Sequence, residues 1–178
     1  MGAYTCPPTI KTSDPRTPDS HESVAFRHAV AAINDELTLA KIGKPEEFKA
    51  WFQDWLPKRQ DEARSLGKQF ILLKHPLNAM LLQEINQVCQ PKMVLVTRPF
   101  AEIEKTRLRR GWAQNYGAFG ANKIYSAAIT NFIEGRINFI SVDFKTFLNS
   151  RSERAKILDY CEIWPSDEEW DQAEKWLK

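Results

Sequence analysis

The feature that most constrains this chain is a unit that occurs three times. Each unit is a short apolar run, then one or two charged residues, then a segment with helical periodicity. Gln69–Leu73 (QFILL) precedes Lys74-His75-Pro76 and the helical LNAMLLQEINQVC. Lys92–Thr97 (KMVLVT) precedes Arg98-Pro99 and FAEIEKTRLRRGWAQNY. Ile137–Val142 (INFISV) precedes Asp143 and FKTFLNS. Short runs of Val, Ile, Leu and Phe with little alternation are the pattern of strands buried on both faces. Strands alternating with helices predict β-α-β units and a parallel sheet. The expected fold is therefore three-layer α/β, a short parallel sheet flanked by a helical majority.

The flanking segments extend this reading. Residues 1–20 carry Pro7, Pro8, Pro15 and Pro18 and read as a proline-rich loop or arm, because proline removes an amide donor and restricts its predecessor. Residues 21–178 then form a single α/β domain, as a chain of 178 residues allows. Asp19 and Glu22 spell a capping box ahead of the helical ESVAFRHAVAAINDEL. Phe48, Trp51, Phe52 and Trp55 recur at helical spacing within 45–66; Pro57 is a possible kink there, and Gly67 a C-terminal cap. Ser166 and Glu169 form a second capping box, before a helix whose packed face carries Trp170, Ala173, Trp176 and Leu177.

Charge and cysteine content exclude several classes. Lys and Arg number 25 against 23 acids, a net charge of +2, so any anion site must be local. Lys105, Arg107, Arg109 and Arg110 are diluted by Glu102 and Glu104 and read as a solvated helix face, with no nucleic-acid partner expected. Cys6, Cys89 and Cys161 make no CxxC pair, so neither a zinc knuckle nor a disulfide framework is expected, and no metal. The apolar runs fall far short of the roughly 20 residues of a membrane span. No basic-then-apolar leader precedes them. A reducing cytoplasm is the expected compartment.

In open α/β sheets, ligands bind beyond the carboxyl ends of the strands. Lys74, His75, Arg98 and Asp143 stand there. An arginine beside a helix N-terminus makes an anion site, since free amides and a bidentate guanidinium both favour negative charge. Thr106, eight residues on, is placed to bond the same anion if the helix slants past the site. His75 is the candidate general base, because histidine titrates near neutrality. Lys74 is either a charge stabiliser or a solvated lysine.

The stretch KMVLVTRPFAEIEKTRLRR resembles the 3′-phosphate-binding element of sulfotransferases, with Arg98 and Thr106 at its two phosphate ligands. FILLKHPLNAML resembles the segment that carries their catalytic histidine, although Lys74-His75-Pro76-Leu77 is one residue short of the usual Lys-Thr-His-Leu-Pro. NFISVDFKTFL resembles their late strand and short helix. Gly117, Gly120 and Lys123 spell a glycine-rich pattern known near the C-terminus of that family. At this position it reads as a helix–helix turn.

The resemblance implies a P-loop-NTPase-like fold and sulfuryl transfer from 3′-phosphoadenosine-5′-phosphosulfate (PAPS) to a hydroxyl or amine of a small-molecule acceptor. The family's N-terminal Gly-rich phosphate loop and its strand have no counterpart in the sequence. That departure implies a truncated or inactive form, and an open sheet edge through which a homo-oligomer could pair. The alternative is a non-catalytic binding or assembly protein on a degenerate P-loop-like scaffold. A nucleotide-kinase relative has no positive residue evidence.

Overall fold

The computed structural model describes residues 2–12 and 18–177, the last two without their side chains. Pro15, and the packing of Trp176 and Leu177, therefore lie outside the described residues. The fold is mixed α/β, predominantly helical, with two small sheets of which one is parallel.

The N-terminal segment is more ordered than its prolines suggest. Thr9–Lys11 (β1) pairs antiparallel with Asp19–Ser23 (β2). Tyr4 and Cys6 are buried in the main core. Burial holds both side chains well above their ordinary values, pushing the phenol and the thiol each up to about 12. Asp19 does not cap a helix. Its carboxylate accepts hydrogen bonds from Lys11 Nζ, Thr9 Oγ1 and the His21 amide at 2.6–2.7 Å, which ties the hairpin together and holds it far below the usual carboxylate range. The first helix, α1 (Val24–Ala31), thus starts later than the expected box and stops earlier than the periodicity runs. It stops because the Asp35 carboxylate accepts from the Leu37 and Thr38 amides, folding residues 34–41 into a turn closed by an antiparallel bridge between Asn34 and Lys41.

Helix α2 (Pro45–Ser65) has proline in its first turn and passes through Pro57 as one helix. Gly67 sits just past its end at φ +66°, a conformation that glycine adopts without strain. The face of α2 bearing Phe48, Phe52 and Trp55 is buried against Phe26 and Val30 of α1. Phe26 lies 5.8–6.4 Å from all four α2 rings, measured between centroids.

Of the three expected strands, two form the parallel sheet: Met93–Thr97 (β3) and Phe139–Asp143 (β4), in register from Met93–Phe139 to Thr97–Asp143. The Gln69–Leu73 run makes only one parallel bridge, Ile71 with Tyr4. Its ladder ends there because Cys6, the next residue in register, takes φ +56° and turns the chain out of the extended region. Between β3 and β4 the chain passes through α4 (Phe100–Arg110) and α5 (Ala118–Glu134). Helix α3 (Leu82–Cys89) precedes β3, and α6 (Phe144–Asn149), α7 (Arg151–Tyr160) and α8 (Asp167–Leu177) follow β4. The Ser166–Glu169 capping box forms in both directions, at 2.9 and 3.3 Å.

One face of the sheet, with Met93 and Leu95, packs on a second core of Ala79, Leu82, Ala128, Phe132 and Ile137. The other face leaves Val94 and Val96 partly exposed. Strands expected to be buried on both faces are here buried fully on neither, because the sheet is two strands wide. Among the described residues no helix is long and apolar enough to cross a membrane.

Phe52 is fully buried at the centre of the aromatic cluster. Phe52→Ala is expected to cost about 3–5 kcal/mol in chemical denaturation, as large-to-small aromatic changes in cores do. Trp112→Ala, at an exposed ring, should cost under about 1 kcal/mol in the same measurement.

Candidate functional site

The strand tips place two of the sequence candidates side by side. Arg98 follows β3, and Asp143 ends β4 one register step away. The Arg98 amide donates to the Tyr125 hydroxyl at 3.1 Å, so α5 fixes the backbone of the tip. Thr97 Oγ1 donates to the Val142 carbonyl at 3.2 Å and ties the two strands together at the same level. The guanidinium lies over the Phe144 ring, 5.0 Å from its centroid. Its nearest acid, Glu102, is 3.9 Å away, and its buried Nε has no hydrogen-bond partner. The side chain is 33% exposed. Asp143 caps α6, accepting from the Thr146 amide at 2.9 Å, and that bond holds its carboxyl below the usual range.

Thr106 is on α4, six residues beyond Phe100 and so about 9 Å along the axis from the helix start. Its hydroxyl donates to the Glu102 carbonyl one turn back, at 3.0 Å. In this rotamer it offers no donor to an anion at Arg98.

Lys74 and His75 belong to a separate group. His75 opens the 3₁₀ turn Pro76–Met80, where its Nδ1 accepts from the Leu77 amide at 3.2 Å. The neutral ring therefore carries its proton on Nε2, which lies 3.4 Å from Glu36 Oε1. Glu36 also receives two bonds from Arg27, Nε and Nη2 each at 2.6 Å, and its backbone carbonyl accepts from Asn115 Nδ2 at 2.6 Å. Lys74 Nζ donates to the Ser20 carbonyl at 2.9 Å and lies 4.0 Å from Glu22.

Burial shifts these groups in opposite directions. The His75 side chain is only 6% exposed, and desolvation lowers its pKa. Desolvation raises that of Glu22. The two hydrogen bonds from Arg27 hold Glu36 below its ordinary value. In this arrangement the imidazole holds no free lone pair with which to take an acceptor's proton. No hydrogen bond, ion pair or ring contact among the described residues joins the Arg98 group to the His75 group.

The glycine-rich start of α5 is filled from within the chain. The Ala118 amide, an unbonded donor in an open helix end, is met by Glu104 Oε2 at 3.0 Å. A Cβ on Gly117 would lie 2.1 Å from that same oxygen. Glu104 in turn receives the Arg107 guanidinium at 2.6–2.8 Å. The sequence reading did not single out Arg27, Glu36, Tyr125 or Phe144. All four lie in segments with helical or strand-end patterning, and no local spacing marks their long-range partners. No group of three or more His, Cys, Asp or Glu side chains among the described residues is arranged to hold a metal ion.

The Arg27–Glu36–His75 chain has a pH signature. Both His75 and Glu36 titrate lower in the folded state than unfolded, so the unfolded chain binds more protons as pH falls. Their contribution is complete above about pH 6.5, the unfolded histidine value, and declines as pH drops through the folded His75 value and then the folded Glu36 value. Denaturation midpoints measured from pH 8 to pH 4 should fall through that window, and His75→Gln should flatten its upper part. At neutral pH, Glu36→Gln should cost about 1–3 kcal/mol, by leaving Arg27 without its bidentate acceptor. Comparison with known proteins yields no match to this chain, whether among family models, curated proteins or solved structures.

Proposed function

We propose that this chain is a sulfotransferase-like protein, with a P-loop-like three-layer arrangement, that binds the 3′-phosphate end of a PAPS-type nucleotide at Arg98. The observation that carries this reading is the uncommitted guanidinium at the tip of a parallel strand. Arg27 and Arg107 each close on a carboxylate at 2.8 Å or less. Arg154 donates to two backbone carbonyls at 2.9 Å. Arg98 has only a 3.9 Å acid and an aromatic ring. Stacking on Phe144 orients the planar fork while leaving its donors free, the state suited to bidentate phosphate binding.

In the full reaction an acceptor oxygen or nitrogen attacks sulfur and the bond from sulfur to the bridging phosphate oxygen breaks. The acceptor's proton then goes to a base, and 3′-phosphoadenosine-5′-phosphate leaves. Thr106 would join the phosphate after rotating away from Glu102. Lys74 and His75 would need to leave their present partners to act on the acceptor.

The second reading is a non-catalytic binding protein on the same scaffold. His75 favours it, because a buried imidazole bonded through both ring nitrogens is a structural group. Both outer edges of the β3–β4 pair are unpaired among the described residues, which keeps a pairing partner, a second copy included, within this reading.

Calorimetric titration with 3′-phosphoadenosine-5′-phosphate tests the site. Arg98→Ala should weaken binding by about tenfold or more, the worth of one charge-assisted bidentate contact. Adenosine 5′-phosphate, which lacks the 3′-phosphate, should bind equally to wild type and variant. Equal affinity of both proteins for the bisphosphate would remove Arg98 from any phosphate role. Binding without sulfuryl transfer, and unchanged in His75→Gln, would select the non-catalytic reading.

A further inference from the structure

We propose that the open cavity between the 34–41 turn and the outer face of α5 binds a small monocarboxylate with a short aliphatic chain. The cavity measures about 420 Å³ and is lined by Asn34, Leu39, Lys41 and Met80, with Ser126, Ala127, Thr130 and Asn131 of α5. A volume of this size lies within the range of small-ligand sites, roughly 300–1,000 Å³.

Apart from Asn131, whose amide donates to the Ala79 and Ala127 carbonyls, the polar lining is uncommitted. Asn34 is only 4% exposed, yet its side-chain amide nitrogen has no hydrogen-bond partner. Buried polar groups are bonded in the great majority of cases, so an orphaned amide beside a cavity marks a missing acceptor. The antiparallel bridge between Asn34 and Lys41 places a cation at the same rim. The Lys41 ammonium makes no ion pair or hydrogen bond among the described residues. Ser126 and Thr130 stand four residues apart on α5 and so share one face, and their hydroxyls are likewise unbonded. The Lys41 ammonium and the two α5 hydroxyls thus share the lining of one space, with the buried Asn34 amide in its wall and one positive charge among them. Such a set matches one carboxylate.

Nearby acids do not neutralise it. Asp35 is held by the Leu37 and Thr38 amides and the Thr38 hydroxyl, and Glu36 by Arg27. Leu39, Met80 and Ala127 supply an apolar wall that selects a ligand with a hydrocarbon body over a bare anion. None of Lys74, His75, Arg98 or Thr106 lines this cavity, so the inference stands apart from the nucleotide reading.

The test is an amide-resolved NMR titration of the whole chain with hexanoate. Hexanamide serves as its neutral match, and inorganic phosphate as an anion without a chain. Hexanoate should give saturable shifts at Asn34, Leu39, Lys41, Ser126 and Thr130, and neither comparison compound should match it. Lys41→Gln should weaken hexanoate by about tenfold, the order of one charge-assisted contact. Thr130→Val keeps the shape of an exposed residue and should weaken it less. Lys123→Gln, at an ammonium packed over Phe119 outside this lining, should leave it unchanged.

Hexanamide binding as well as hexanoate would overturn the proposal by removing charge recognition. Phosphate binding as well would overturn it by removing the apolar wall. Shifts confined to other residues, or none, would overturn the site itself. The spectra of the variants report their folding directly.

Discussion

The stack of rings along α2 is the constraint from which the rest of the structure follows. Phe48, Trp51, Phe52 and Trp55 fall at i, i+3, i+4 and i+7, so they make one continuous face. Rings of this kind bury roughly 150–250 Å² each. Phe26 is the one α1 residue that meets all four rings, which fixes the rotation of α1 about its axis. Once Phe26 faces inward, Arg27 stands about 100° round the helix. There it meets Glu36 on the turn that ends the same segment. Glu36 meets His75, and His75 sets the start of the 3₁₀ turn whose Leu77 enters the main core. A hydrophobic register thus determines the placement of a buried ionic chain, and the ionic chain ties the N-terminal third to the segment after Leu73.

That dependence explains why the polar groups divide so sharply. Where a charged side chain bridges packed elements, its terminal donors have close partners, as with Arg27 on Glu36 and Arg154 on the α6 carbonyls, although the buried Nε of Arg154, like that of Arg59, is left unpaired. Desolvation makes an incomplete set costly in such places. Arg98 and Asn34 go further, in that neither side chain makes a hydrogen bond among the described residues. Each is positioned by backbone contacts, Arg98 through the Tyr125 hydroxyl and Asn34 through its bridge to Lys41. Their side chains are then left with donors that the fold does not use. Such incompleteness costs the fold free energy, which is why both positions carry a proposal.

Sequence patterning made the helices, the parallel pairing of the second and third apolar runs and the position of Arg98 legible, because each rests on local periodicity or on strand order. It misjudged residues 19–23, where Ser, Asp and Glu fit a capping box and a hairpin equally well; the choice was made by Lys11 and Thr9, eight and ten residues away. It took QFILL for a strand because the apolar run was right, but pairing depends on a neighbour, and the neighbour turns away at Cys6. The environment of His75 was illegible for a related reason. Nothing in Lys-His-Pro states that a glutamate 39 positions earlier will face the ring. The Asn34 cavity was missed as well, since asparagine in a turn is ordinary and only burial makes its unpaired amide informative.

The β3–β4 pair shows how a small sheet can hold a rigid tip. Parallel strands are normally covered on both faces and flanked by further strands. Here one face rests on the second core, with Phe139 stacked on Phe132 at 4.0 Å, while Val96 on the other face is 47% exposed. Ladder bonds alone would leave a two-stranded pair marginal. The Thr97 and Tyr125 hydroxyls add cross-links at the carboxyl end, one across the pair and one to α5. Order is therefore concentrated at the end where Arg98 emerges, while on the second face Val142 is buried but its neighbours on β3, Val94 and Val96, stay exposed. A sheet stabilised only for its own sake would be expected to bury Val94 and Val96 first. The cross-links here instead hold the backbone from which Arg98 emerges.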